Sequence, residues 1–232
     1  MKQKVLVIAK SLLWCLVILL FPVISGTLSV LLSLDTVTTL FLQGAFMILA
    51  LLPPAFFVLK GKWDWSACGF TGIDLEGCKR ALYFLPLLVI FIPPAMKGFY
   101  VKSDGYVLGS LFLYLFVGIA EEVYFRGIIP RYLKEAFSTR GLVLLSAVIF
   151  AVGHIAAALA GSTAFEIALT VLNAFVFGWL AMEMTILSSS IIPAILVHFL
   201  FDFETNWPAG LPLLYTRKER NFNKRSRCVY VS

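Results

Sequence analysis

The residues of this chain that could do chemistry are few, and they sit in apolar surroundings. The stretch AEEVYFRG, Ala120 to Gly127, places Glu121, Glu122 and Arg126 at the end of the hydrophobic run LFLYLFVGI. The two histidines, His154 in IFAVGH and His198 in HFLFD, also lie in apolar runs, and Asp202 follows His198 by four positions. On a helix, Glu122 and Arg126 share a face and can pair, while Glu121 is turned about 100° away and is left spare. The same spacing lets Asp202 orient the His198 imidazole, or lets both hold one ligand. Phe150 precedes His154 by four, which puts an aromatic ring and an imidazole on one face.

Charge bookkeeping limits what such a group can be. With neutral imidazoles, the carboxylates Glu121, Glu122 and Asp202 face the single cation Arg126, and a low-dielectric setting demands compensation. One solution is a divalent cation such as zinc, with Glu121, His154, His198 and Asp202 as the candidate ligands. The other is a carboxyl and a histidine that hold protons, which suits general acid/base work and needs no cofactor.

The elements that must position these residues are membrane spans. Of 232 residues, 60% are hydrophobic and 14% charged, with a mean hydropathy of +0.93, against roughly 25% charged in an ordinary soluble domain. A helical span needs about 20 apolar residues, because hydrocarbon offers the backbone no other hydrogen-bond partners. Candidate spans run at roughly 8–32, 36–59, 81–96, 105–125, 141–160, 164–184 and 186–203, an all-α polytopic bundle of about seven to eight spans. A charge at mid-bilayer costs at least ~2.5 to 3.5 kcal/mol, so Glu121, Glu122, Arg126, His154, His198 and Asp202 are expected to face the bundle interior. Lys10 can snorkel, and Glu166 and Glu183 lie near helix ends, so these three read as structural.

Organisation and orientation follow from charge. The N-terminal segment resembles a signal peptide only superficially, since Lys10 interrupts the apolar run and no A-x-A site follows. Lys2 and Lys4, then Lys60, Lys62, Lys79 and Arg80, then Arg131, Lys134 and Arg140 mark three flanks as cytoplasmic. The basic tail RKERNFNKRSR disagrees in parity with seven spans; an eighth short or re-entrant segment around WPAGLPLLY, or one span fewer, reconciles it. The net charge of +6 lies in these flanks, where it serves orientation and attraction to anionic lipid, and calls for no nucleic acid. Three regions follow: 1–104, N-terminal helices with an interfacial loop at 61–80; 105–203, the helical core with the ionisable residues; 204–232, a basic tail. The four cysteines form no C-x-x-C pair and are expected reduced.

With these residues in hand, AEEVYFRG, IFAVGH and SSSIIPAILVHFLFD resemble, in order and spacing, the E-E-x-x-x-R, F-x-x-x-H and H-x-x-x-[ND] motifs of the CAAX-processing and bacteriocin-processing (CPBP) intramembrane proteases, the type II CAAX prenyl protease group. The likeness covers roughly Leu111 to Asp202. It implies a bundle of about eight spans around a water-accessible intramembrane cavity, in a prokaryotic plasma membrane with the N-terminus in the cytoplasm. The implied activity is hydrolysis of a peptide bond in a membrane-associated or lipidated substrate. Glu121 with His154 would activate water, His198 with Asp202 would stabilise the intermediate, and Arg126 would fix the glutamate pair. Descriptions of the family divide between glutamate-type and metal-dependent chemistry, and the zinc motif H-E-x-x-H is absent here. Some members carry asparagine where this chain has Asp202; an amide can donate to an oxyanion and an ionised carboxylate cannot. A catalytically silent immunity or scaffold relative, or a proton-coupled transporter, would show many of the same intramembrane charges, though matching broken repeats of the transporter kind are not visible.

Overall fold

The computed structural model describes residues 2–81, 104–156 and 162–205, and the regular structure in them is entirely helical. Five helical stretches are long and apolar enough to cross a membrane: Lys2–Leu31, Thr36–Leu59, Asp104–Leu133, Thr139–Ala156 and Ala164–Ser188. A shorter apolar helix, Ile192–Phe203, follows. The expected span at 81–96, the segment around WPAGLPLLY and the basic tail lie outside the described residues.

Helix α1 (Lys2–Leu31) buries one stripe, Val7, Ser11, Cys15, Ile18, Ser25 and Ser29. Small side chains at helical spacing let a neighbour approach closely. The Ser11, Ser25 and Ser29 hydroxyls donate to carbonyls of their own helix, so the stripe carries no unmet donor. Leu13, Leu16 and Leu20 face outward on the opposite side, as lipid requires.

Helices α2 (Thr36–Leu49) and α3 (Leu52–Leu59) form one span with a break. Asp35 caps α2 by accepting from the Val37 and Thr38 amides. The break comes from Pro53 and Pro54, which bring no N–H; the amide that would have reached the Ala50 carbonyl is the one Pro54 lacks. That carbonyl accepts instead from the Tyr124 hydroxyl at 2.7 Å. A proline in one span thus creates the acceptor that anchors the AEEVYFRG segment of another.

The next long helix runs as α5 (Asp104–Glu122), a π-helical segment (Val123–Ile128) and α6 (Ile129–Leu133). The sequence reading ended this span at 125; the structure carries it through to 133, because Arg126 is buried against an acid rather than turned out to water. Between α3 and α5 lies a loop containing a short 3-10 turn (Trp65–Cys68) and helix α4 (Leu75–Ala81). Gly69 closes the 3-10 turn in the left-handed region, φ +88°, which a Cβ would disfavour. The loop latches onto the end of the bundle: the Gly69 carbonyl accepts from the Ile191 amide, the Asp74 amide donates to Ser188, and Thr71 donates to the Ser189 carbonyl.

Ser138 caps α7 (Thr139–Gly153), and a capping box of Thr163 and Glu166 opens α8 (Ala164–Ser188). The structural reading of Glu166 therefore holds, and Lys10 rests 5.4 Å above the Tyr132 ring at the helix surface. Helix α9 (Ile192–Thr205) follows Ser189, whose φ of +57° turns the chain back. Two close approaches align the core. A Cβ at Gly118 of α5 would stand 3.3 Å from the Ile195 carbonyl of α9, and one at Gly178 of α8 would stand 3.1 Å from the Phe150 ring of α7. Gly118 lets α9 come near enough for His198 to reach the acids of α5, and Gly178 lets α8 pack closely on α7.

Candidate active site

The site is built from the end of α5, the π segment, the end of α7 and the middle of α9. A π turn holds one more residue per turn than an α turn and re-aims the side chains at its edges, which is common at functional sites. Here it separates the acid pair from Arg126 and buries the guanidinium. Arg126 Nη1 lies 3.0 Å from Glu122 Oε1, an ion-pair distance without hydrogen-bond alignment. The guanidinium stacks 4.4 Å above the Phe150 ring and 5.6 Å from the Phe177 ring. Aromatic faces thus supply part of the stabilisation that water would give an exposed cation.

Glu122 is completely buried and holds two partners. Besides Arg126, its Oε1 accepts from His198 Nδ1 at 2.7 Å. A carboxylate only accepts, so that nitrogen carries a proton and His198 turns Nε2 toward the remaining acids. Nε2 lies 3.8 Å from Glu121 Oε2 and 3.6 Å from Asp202 Oδ2. The Phe150 and Phe177 rings pack against His198 and leave it 4% exposed.

Glu121 is held differently from its neighbour. Its Oε2, like Glu122 Oε2, is buried without a hydrogen-bond partner, but Glu121 alone of the pair lines a cavity of about 180 Å³, together with His154, Phe125, Phe150, Ile18 and Pro22. His154 caps the end of α7, and its Nδ1 lies 2.9 Å from the Phe150 carbonyl. A carbonyl can only accept, which places the proton on Nδ1 and leaves Nε2 of the neutral ring as a base or acceptor.

The pairs read from helical spacing, Glu122 with Arg126, His198 with Asp202 and Phe150 with His154, are all in contact, and the structure brings Glu121 beside His198. The spacing did not disclose that Glu122 bonds His198 as well as Arg126, a contact between residues 76 positions apart. Nor did it disclose Phe177, whose only signal was one aromatic among many in FVFGW. As a metal set, the residues do not fit: among the described residues no three His, Cys, Asp or Glu side chains are disposed to hold a cation. His198 Nδ1 and His154 Nδ1 are both held by protein acceptors, which leaves Nε2 of each ring facing the site. No step below is routed through a metal.

A bundle of apolar helices with acids, imidazoles and a guanidinium packed inside defines a multi-pass membrane protein with an intramembrane ionisable centre. Residues 103–203, which hold that whole centre, match the family described as type II CAAX prenyl endopeptidase Rce1-like. No curated protein and no solved structure matches the chain.

Proposed function

We propose that the protein is an intramembrane endopeptidase that hydrolyses a peptide bond of a membrane-associated or lipidated substrate, with Glu121 as general base. One observation carries this reading: two adjacent glutamates in opposite situations. Glu122 is fully buried and held through one oxygen by Arg126 and His198, whereas Glu121 lines a cavity shared with His154.

A water between Glu121 and His154 gives its proton to the carboxylate as its oxygen attacks the scissile carbonyl carbon. His154 Nε2, its tautomer fixed by the Phe150 carbonyl, accepts a hydrogen bond from the same water and orients the attack. The carbonyl oxygen becomes an oxyanion. His198 is positioned to stabilise it: Nδ1–H is held by Glu122, and with both nitrogens protonated Nε2–H is a donor in a water-poor setting. Asp202 keeps that nitrogen oriented. Collapse of the intermediate expels the amine, which takes the proton that Glu121 received, and the new carboxylic acid passes its remaining proton to that amine, so the products leave as a carboxylate and an ammonium.

Purified protein in bilayer discs, given a library of extended peptides and prenylated C-terminal peptides, tests the assignment. Wild type should cleave, Glu121→Gln should lose activity while remaining folded, and His198→Ala should lose activity with some loss of stability, since it also removes the partner of Glu122. Cleavage at the wild-type rate in both variants would refute it. Solute or proton flux in proteoliposomes without proteolysis would place the protein among transporters instead.

A further inference from the structure

A second concavity, of about 760 Å³, opens where the 61–69 loop faces the end of α6 and the start of α7. Its lining is of two kinds. Lys62, Arg131 and Lys134 contribute cations, and none of the three makes an ion pair among the described residues. The carboxylate on this lining, Asp64, accepts from the Ser66 hydroxyl and the Ala67 amide and feels the Arg131 charge, so the rim sets three cations against one anion. Pro130, Leu142, Met182 and Ile186 supply an apolar wall. Arg126 also lines the cleft, and its Nε and Nη2 have no hydrogen-bond partner.

The surroundings set the depth of this cleft in a bilayer. At the same end of the bundle, Arg131 lies over Trp63, Lys62 over Phe57, Lys60 over Phe56, Lys10 over Tyr132 and Lys4 over Phe137. Cations laid over aromatic rings where helices begin and end mark the level of the headgroups. A site there with basic groups on one side and an apolar wall on the other is complementary to a molecule with an anionic head and a hydrocarbon tail.

We propose that the cleft is a binding site for an anionic phospholipid. The phosphate sits among Lys62, Arg131 and Lys134, and an acyl chain lies along Pro130, Leu142, Met182 and Ile186. The lipid then shares a wall residue, Arg126, with the carboxylate–histidine cluster, so occupancy of the cleft bears on the cation that holds Glu122. This inference does not depend on the protein being a protease.

The test is binding of phosphatidylglycerol against phosphatidylcholine to the full chain in detergent, counted by native mass spectrometry. Wild type should retain phosphatidylglycerol selectively. At roughly fivefold per basic residue, Lys62→Gln with Arg131→Gln should weaken that binding about thirtyfold, while the charge-preserving Lys62→Arg with Arg131→Lys keeps most of it. Lys4→Gln with Arg140→Gln, at the same end but off the cleft, should leave it within about twofold. Should the double variant not fold, Lys134→Gln alone, at an exposed position, should show about a fivefold loss. Undiminished binding in the cleft variants would overturn the proposal, and so would an equal loss in the Lys4/Arg140 pair, which would indicate diffuse surface charge. Binding of a soluble carboxylate-ended peptide displaced by the cleft substitutions, with no lipid preference, would also overturn it and assign the cleft to a peptide.

Discussion

Glu121 and Glu122 are adjacent carboxylates whose environments give them different work. Glu122 belongs to a buried network with Arg126 and His198, and removing one member of such a network leaves a desolvated charge behind. Glu122→Gln should therefore destabilise the folded protein by about 3 to 5 kcal/mol, read as a lowered denaturant midpoint in detergent, with activity lost as a consequence. Each glutamate keeps one oxygen without a protein donor, but Glu121 is the one that lines the cavity shared with His154. Glu121→Gln should lower kcat by about 10²- to 10⁴-fold and leave the midpoint within error; a matching fall in midpoint would make Glu121 a packing residue. At the same scale, the donors of Glu121, His154, His198 and Asp202 do not form a cation cage. Dialysis against a chelator should leave cleavage within about twofold of the untreated rate, and a loss restored by zinc would reinstate a metal role.

Among the elements, the π segment matters most because two neighbours hold it. Tyr124 donates to the carbonyl that Pro54 frees, and Gly127 lies against the 3-10 turn, where a Cβ would come within 2.3 Å of the Cys68 carbonyl. Gly127→Ala should cost about 1 to 3 kcal/mol through overpacking and reduce activity by displacing Arg126. Gly26→Ala in α1, where nothing lies within 4 Å of the new Cβ, should instead be neutral or stabilise by up to ~1 kcal/mol. Equal losses in the two variants would contradict this account of the turn. The turn itself carries a pH dependence. The Ser66 hydroxyl, and next the Ala67 amide, hold the Asp64 carboxyl below the usual carboxylate range. A depressed carboxyl contributes stability above its unfolded value, near ~3.9, and loses it as pH falls through the folded value. Protection of the Ala67 amide against hydrogen exchange should thus decline below about pH 4, and Asp64→Asn should flatten that decline.

At the scale of the whole molecule, the site exists because separate spans converge. α5 and the π segment bring Glu121, Glu122 and Arg126, α7 brings His154, α9 brings His198 and Asp202, and Phe177 of α8 closes over Arg126 and His198. α1 contributes Ile18 and Pro22 to the cavity beside Glu121, so a helix outside the 103–203 match helps shape the site. The six ionisable residues were legible in the sequence because a charge in an apolar run is costly and must be offset in the bundle interior. Their local pairings were legible because helical geometry fixes which residues four apart share a face. The full extent of the α5–α6 span was not, since Arg126 looks like a terminus until a buried acid is seen beside it.

The sequence by itself determined that this is a multi-span helical membrane protein, which ionisable residues lie within its spans and which neighbours pair along a helix. These follow from composition and from the period of the α-helix, both properties of short stretches of chain. Only the tertiary structure decided that Glu122 holds His198, that Glu121 lines a cavity with His154, and that Pro54 frees the carbonyl that Tyr124 takes. It also brought a loop and two helix ends together into a basic cleft. Each of these depends on the distance between segments far apart in the chain. That distance is set by glycines and small residues whose effect appears only when the helices are packed.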